Sequence, residues 1–168
     1  MRTFVLLSCF LVCTTYACAQ DCRNWTTLSS DSDTAFWYNL KKTYSRTYTL
    51  KSTECDTSEI AFSFWSYGNL FSISKTNNTL YGEVTKYVKE LNGKENSNRI
   101  FKKSYPLSDE KIVSIFNLIN SSKIIAIPSD KYIKDWKQGF DGIEYVLEFK
   151  QKSYYSFKTF WTPRSQEN

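Results

Sequence analysis

Histidine is absent from this 168-residue chain, and glycine and proline are scarce. The lack of histidine excludes Ser-His-Asp and Cys-His nucleophile systems, and it removes nearly all common zinc, copper and non-haem iron sites. Catalysis by paired carboxylates, by lysine or by tyrosine stays open. The sequence therefore predicts no metal and no cofactor, and it contains no motif that specifies a reaction.

Long apolar runs are missing except at the N-terminus. Arg2 precedes an uncharged, mostly apolar stretch at residues 3–14, and Ala17-Cys18-Ala19 has the A-x-A pattern of a cleavage site. These features predict a signal peptide at residues 1–19 and a single secreted or periplasmic domain at residues 20–168, without a transmembrane segment.

Two alternatives to a cleaved leader stay open. The first is that the apolar stretch is a buried N-terminal strand or helix. The second is a lipoprotein, with lipid carried by Cys18 or, in a better local context, by Cys9.

Three of the five cysteines lie within the predicted leader, which leaves Cys22 and Cys55. An even number of cysteines in an exported protein predicts one disulfide between them. A loop of that length would contribute roughly 3–4 kcal/mol to stability. Two unrelated free thiols are the alternative. A zinc site is not expected from two cysteines without histidine.

The chain also lacks a large excess of either charge. It has 22 basic and 17 acidic residues, which give a formal net charge of +5. The lysines are interleaved with acids, which is typical of a solvated surface. We therefore predict no nucleic-acid partner, while weak attraction to acidic polymers or anionic membranes stays open.

Alternating apolar residues from residue 60 onward predict an antiparallel meander of β-strands. Turn signals occur at Tyr67-Gly68-Asn69 and at Asn77-Asn78, and strands are expected at residues 60–65, 70–75, 80–91 and 99–105. Two further alternating runs, at residues 143–150 and 154–161, predict a final hairpin. Residues 47–50 are expected to form one more short strand.

After Pro106 the spacing of the apolar residues changes from the alternation of a strand to the period of a helix. Ser108 is a suitable N-cap, acidic residues follow it, and Ile112, Ile115, Phe116 and Ile119 have helical spacing. Residues 33–44 are ambiguous, with a slight preference for a helix. The predicted fold is one α+β domain, in which one firm helix packs on one face of an antiparallel sheet of about six to seven strands. A closed lipocalin-type barrel is the main alternative.

Aromatic residues are abundant, with 12 phenylalanines, 12 tyrosines and five tryptophans. A loop at residues 129–142 contains tryptophan and glycine between polar residues, and such a loop can present aromatic rings to a partner. The alternative is that Trp136 folds back over the core. The candidate binding residues are Trp136, Gly139, Phe140, Asp141 and Trp161.

Glu144 and Glu148 are four residues apart on one predicted strand, so about 13 Å separates their backbones. This distance is long for a glycosidase pair, and we expect both side chains on a solvated face. Asn24, Asn77 and Asn120 begin N-x-S/T sequons, which would matter only in a eukaryotic secretory pathway.

The motifs Gln138-Gly139-Phe140-Asp141-Gly142 and Phe160-Trp161-Thr162-Pro163 resemble those of small exported bacterial proteins of uncharacterised function. The resemblance covers the last forty residues or so, and it implies a bacterial periplasmic or extracellular location. It carries no activity, cofactor or site residue with it.

The main functional hypothesis is an exported, non-enzymatic domain that binds a protein or a carbohydrate. One alternative is an inhibitor or immunity-type protein directed against a secreted enzyme. The other is a hydrolase that depends on carboxylates or tyrosine. The ligand and the oligomeric state do not follow from the sequence.

Overall fold

The computed structural model describes residues 25–34, 36–90, 99–139 and 141–166. The predicted leader, Cys22 and Phe140 lie outside the described residues. The strands are β1 (Thr27–Leu28), β2 (Ile60–Ser66), β3 (Asn69–Thr76), β4 (Thr79–Lys89), β5 (Ile100–Pro106), β6 (Glu144–Gln151) and β7 (Tyr154–Trp161). The α-helices are α1 (Phe36–Thr47) and α2 (Asp109–Ser121), and short 3-10 helices cover Ile124–Ala126, Asp130–Tyr132 and Pro163–Gln166.

All seven of these strands belong to one sheet, in the order β1-β7-β6-β2-β3-β4-β5. Every neighbouring pair is antiparallel except β1 and β7, which are parallel. The order is linear, with β1 and β5 at the two edges, so the sheet is open and does not form the alternative closed barrel. The predicted α+β single domain is confirmed, with one parallel pair added to the antiparallel sheet.

Tight turns connect the strands where the sequence predicted them. Asn77 and Asn78 join β3 to β4 and have positive φ angles of 48° and 63°. Two consecutive positive φ values match the type I′ turn that fits the twist of a hairpin, and asparagine tolerates this conformation well. Gly68, with φ of 68°, has the same role between β2 and β3.

Both faces of the sheet are covered, each by one helix. Helix α2 places Ile112 and Ile119 against a cluster of buried side chains on one face: Phe62, Ile73, Leu147 and Phe149. Helix α1 places Tyr38 against a second cluster on the other face: Trp65, Leu70, Val146, Tyr155 and Phe157. The prediction of a single helix on one face was therefore incomplete.

Helix α2 begins as the sequence predicted. Ser108 occupies the N-cap with an extended backbone, and its carbonyl oxygen accepts the first helical hydrogen bond from the amide of Ile112 at 2.9 Å. Asp109 and Glu110 lie in the first turn, where carboxylates are favoured by the helix dipole.

The prediction of a short strand at residues 47–50 was wrong. Helix α1 continues through Thr47, and the amide of Tyr48 still donates to the carbonyl oxygen of Tyr44. Thr49 then adopts a left-handed conformation, and the amide of Leu50 donates back to Ser45 at 2.8 Å. These hydrogen bonds end the helix in a turn and leave no extended segment.

A buried lysine fixes the segment after α2. The ammonium group of Lys158, on β7, donates to the carbonyl oxygens of Ile125 and Ile127 at 2.6 Å each, and it lies 2.9 Å from a carboxylate oxygen of Asp31. The 3-10 helix at Ile124–Ala126 is therefore tied to the last strand through its carbonyl groups.

Candidate functional site

Three of the residues predicted for binding, Trp136, Gly139 and Trp161, meet at the C-terminal end of β7. Trp136 is half-buried, its indole N–H donates to the carbonyl oxygen of Trp161 at 3.2 Å, and its ring centroid lies 6.1 Å from that of Phe160. Asp141 is exposed. This arrangement matches the alternative in which Trp136 folds back over the domain.

Two glycines allow the loop to approach Trp161 closely. A Cβ atom at Gly139 would lie 2.6 Å from two carbons of the Trp161 ring, and a Cβ atom at Gly142 would lie 2.6 Å from its Nε1 and clash with Thr162. The structure thus brings together Trp136, Gly139 and Trp161. Phe140 cannot be placed, because it lies outside the described residues.

Asp130 holds this loop against the sheet. Its side chain is buried, and one carboxylate oxygen accepts from the backbone amide of Trp161 at 2.8 Å and from the side-chain amide of Gln138 at 2.9 Å. Because one oxygen serves both segments, the loop and the end of β7 form a single packed unit.

A concave site lies on the α1 face of the sheet, and its cavity volume is about 530 Å³. Its lining includes Trp37 and Tyr44 of α1, Trp65 of β2, Tyr87 of β4 and Glu144 of β6. Gly142, from the candidate binding loop, also lines it. We call this site the aromatic cleft.

A fully buried carboxylate lies beneath the aromatic cleft. Glu148 is completely buried; one of its oxygens lies 2.6 Å from the ammonium group of Lys41 and accepts the Tyr155 hydroxyl at 2.5 Å. Its other oxygen accepts the indole N–H of Trp65 at 2.6 Å. Both oxygens are satisfied, and the charges of Lys41 and Glu148 compensate each other.

The expectation that Glu148 lies on a solvated face was wrong. The alternation along β6 was assigned correctly, but helix α1 covers that face and delivers Lys41 to the carboxylate. Three hydrogen-bond donors surround Glu148, so it is not free to act on a substrate. The carboxylate-dependent hydrolase therefore has no available pair of acids on β6.

A second carboxylate anchors the outer side of α1. Glu54 accepts the Tyr38 hydroxyl at 2.7 Å and the Trp25 indole N–H at 3.0 Å, and it lies 3.7 Å from the ammonium group of Lys42. Burial, together with the hydrogen bond to Glu54, raises the pKa of Tyr38 to about 12. Tyr38 is thus a neutral donor at every physiological pH.

Glu144 is the one carboxylate of the aromatic cleft that lacks such compensation. Its Oε1 atom is buried and has no hydrogen-bond partner among the described residues. Burial raises the pKa of Glu144 to about 7, and the negative charges of Asp130 and Asp33 add to this effect, while a hydrogen bond with Thr159 opposes it. Burial and the neighbouring negative charges therefore destabilise the ionised form of Glu144.

Tyr87, in the wall of the cleft, is neutral. Burial raises the pKa of Tyr87 to about 12, and Tyr44 and Tyr48 contribute to the same shift. The rings of Tyr48 and Tyr87 lie 4.7 Å apart, and Trp65 meets Tyr87 edge to face at 6.3 Å. The walls are thus packed aromatic surfaces, suited to contact with a flat apolar group.

Comparison of the chain with known protein families, with curated proteins and with solved structures finds no match. Within the described part of the chain, no cluster of three or more cysteine or acidic side chains could hold a metal ion. No helix there is long and apolar enough to cross a membrane.

Sequence reasoning missed the aromatic cleft. Its residues come from four separate elements, and the sheet order β6-β2-β3-β4 and the packing of α1 bring them together. The one signal in the sequence was the ambiguous segment at residues 33–44. As a helix, this segment places Lys41 among aromatic residues. A lysine that is buried there requires a carboxylate as its counter-charge.

Proposed function

We propose that this protein is a non-enzymatic binding domain, and that the aromatic cleft holds a small organic ligand with a flat apolar body and a cationic group. The observation that carries the proposal is the cleft itself. Its volume of about 530 Å³ lies within the range of small-molecule sites, which are mainly apolar with a few polar groups that fix orientation.

The cationic group follows from Glu144, whose Oε1 atom lacks a partner among the described residues, although Lys41 and Lys89 also line the cleft. Lys41 is neutralised by Glu148, whereas Glu144 is ionised only with difficulty because it is buried near Asp130 and Asp33. A ligand amine beside Glu144 would supply the missing positive charge. The ring of the ligand would then lie against Trp37, Tyr44 or Tyr87, as aromatic and cationic groups are both favoured by such walls.

Calorimetric titration with tryptamine tests this proposal. Tryptamine combines an indole ring with an ammonium group, and indole-3-acetate is its anionic counterpart. We expect saturable binding of tryptamine and at least tenfold weaker binding of indole-3-acetate. Absence of binding by tryptamine, indole and a disaccharide at millimolar concentration would refute a small-molecule site in the cleft.

Two tryptophan variants locate the site. Trp37→Ala removes a wall of the aromatic cleft and should weaken tryptamine binding about tenfold. Trp136→Ala removes a half-buried ring outside the cleft and should leave binding unchanged. The reverse result would place the ligand on the Trp136 and Trp161 surface that the sequence predicted.

We also propose that the domain works outside the cytoplasm, after cleavage behind Ala19. Cys55 is half-buried and disulfide-bonded, and this supports an oxidising compartment. Its partner lies outside the described residues, and Cys22 is the proposed one. Intact mass measurement of the protein from its native host should give a chain that starts at Gln20 and lacks two hydrogens. A retained Met1 would contradict export by this leader.

A further inference from the structure

Strand β5 (Ile100–Pro106) forms one edge of the sheet, and all seven of its residues are exposed. It pairs with β4 on one side only. Among the described residues, no other strand lies beyond it. An exposed edge of this length presents unpaired backbone groups to any extended chain that can pair with it.

The direction of those backbone groups follows from two hydrogen bonds that flank the β4–β5 ladder. The amide of Glu90 donates to Arg99, and the amide of Leu107 donates to Gly82. These two pairs have the same register as the ladder. Hydrogen-bonded pairs alternate with non-hydrogen-bonded pairs in an antiparallel ladder, so every second residue of β5 bonds to β4.

By this alternation, Phe101, Lys103 and Tyr105 direct their backbone groups towards β4. Ile100, Lys102 and Ser104 direct theirs away from the sheet. Pro106 has the same parity as the outward-facing residues and has no N–H to offer, which suits a strand at an edge. The free edge therefore offers a short ladder of outward amides and carbonyls that ends at the proline.

The side chains on one face of this edge form an aromatic and basic strip. Phe101 is 55% exposed beside its cross-strand partner Val88, which is 58% exposed. Lys103 is next on the same face, with its ammonium group 5.2 Å from the centroid of the Tyr105 ring, and Tyr105 completes the strip.

Lys103 lies directly opposite Lys86 of β4. Two like charges in this position destabilise a strand pair. Neither ammonium group lies within ion-pair distance of a carboxylate in the part of the chain that the structure describes. A negatively charged group next to Lys103 would therefore stabilise this edge.

We propose that β5 binds an extended acidic segment of another protein as an additional antiparallel strand, with a carboxylate opposite Lys103 and apolar side chains opposite Phe101 and Tyr105. In such a strand these three positions form non-hydrogen-bonded pairs, whose side chains approach most closely. The carboxylate converts the repulsion between Lys86 and Lys103 into an attraction that includes both lysines.

A second copy of the chain is the wrong occupant on charge grounds. Antiparallel pairing of two β5 strands centred on Lys103 would bring that lysine opposite its own copy. Lysine at an edge is a common protection against such self-pairing. The same lysine selects an acidic strand, so protection and recognition have one physical origin.

A blocked seven-residue peptide tests the proposal, with valine at its second and sixth positions, glutamate at the fourth and threonine elsewhere. Its symmetry centres the glutamate on Lys103. We expect saturable binding by fluorescence anisotropy. N-methylation of the third and fifth amides should abolish binding, while N-methylation of the fourth should not. No binding, or loss only on methylation of the fourth amide, would overturn the antiparallel arrangement.

A charge exchange separates a defined contact from general attraction. Lys103→Glu should weaken binding of the glutamate peptide at least about tenfold and should create binding of the matching lysine peptide. The control Lys134→Glu makes the same change of net charge at an exposed site away from the edge and should change neither affinity. Equal weakening by both variants would show attraction by net charge alone and would overturn the proposal.

Folding does not limit this test, because Lys103→Glu replaces a repulsive cross-strand pair with an attractive one. Sedimentation of the wild-type protein provides the remaining outcome. A concentration-dependent dimer that the glutamate peptide dissociates would identify a second copy as the occupant and would overturn the assignment to another protein.

Discussion

The ammonium group of Lys41 and a carboxylate oxygen of Glu148 lie 2.6 Å apart, although 107 residues separate them in the chain. Both side chains are almost completely buried, at 4% and 0% exposure. The pair joins α1 to the central strand β6 beneath the aromatic cleft. Because neither charge can reach water, each depends on the other.

Breaking this pair should be strongly destabilising. Glu148→Gln leaves the Lys41 ammonium group buried without a counter-charge, and we expect a loss of about 3–5 kcal/mol in the free energy of unfolding. The double variant Lys41→Met with Glu148→Gln should recover part of that loss, since the amide oxygen still accepts from Trp65 or Tyr155. Urea denaturation of the four proteins in a double-mutant cycle measures the coupling. Additive losses would contradict the dependence.

Glu144 should make stability depend on pH. Its folded pKa of about 7 exceeds its ordinary value of 4.5, so the folded state binds more protons than the unfolded state between these values. The free energy of unfolding should therefore fall as the pH rises from about 5 to about 7, and this contribution should level off above it. Glu144→Gln should gain about 1 kcal/mol at pH 8, after a discount for solvent screening.

Urea denaturation of both proteins at pH 5 and pH 8 checks this prediction. Titrating groups that do not interact with Glu144 contribute equally to both proteins, so the difference between the two isolates Glu144 together with its coupling to Asp130 and Asp33. A difference that is the same at both pH values would contradict the proposed protonation of Glu144.

The same carboxyl group should link tryptamine binding to pH. The ammonium group of tryptamine is protonated throughout the range from pH 6 to pH 8, as expected for an alkylamine. Glu144 becomes ionised over this range, so affinity should increase several-fold with rising pH. Glu144→Gln should remove the increase. A wild-type affinity that is constant with pH would show that the ammonium group of tryptamine does not interact with Glu144.

Gly139 should not tolerate a side chain. A methyl group there meets the Trp161 ring at 2.6 Å, so Gly139→Ala should cost about 1–3 kcal/mol through the displacement of the indole. The exposed neighbour Asp141→Ala provides the control and should be close to neutral. Thermal denaturation and tryptophan fluorescence measure both effects, and an unchanged melting temperature for Gly139→Ala would contradict the close packing.

The proposed disulfide can be tested by replacement of its cysteines. Cys55→Ser should lower the free energy of unfolding by about 2–4 kcal/mol under oxidising conditions. Cys22→Ser should cost the same amount, and the double variant should cost no more than either single one. Additive losses would show that the two sulfurs do not share a bond.

Local features of the fold were predictable from the sequence. The hairpin turn at Asn77-Asn78 and the helix after Ser108 each depend on residues that are close in the chain. The environment of Glu148 was not predictable, because alternation assigns a residue to a face but does not say what covers that face. The packing of α1 decides that question, and it depends on contacts over more than a hundred residues.

The candidate site was predictable only in part. The loop with Trp136 and Gly139 was recognised by its composition, and its contact with Trp161 follows from the closing of the last hairpin. The aromatic cleft has no contiguous motif. Its residues are ordinary strand and helix formers until the sheet order places them together.

The parallel pairing of β1 with β7 also bears on the order of assembly during synthesis. Thr27 pairs with Tyr154, and Lys41 needs Glu148, so the first strand and the first helix both wait for the last hairpin. A nascent chain whose C-terminal hairpin is still in the ribosome already has Trp65 and Leu70 for contact with α1, but it lacks the partners of Thr27 and Lys41. Such long-range closure slows folding. The packing of β1 and α1 should consequently be completed only after the C-terminal hairpin has left the ribosome.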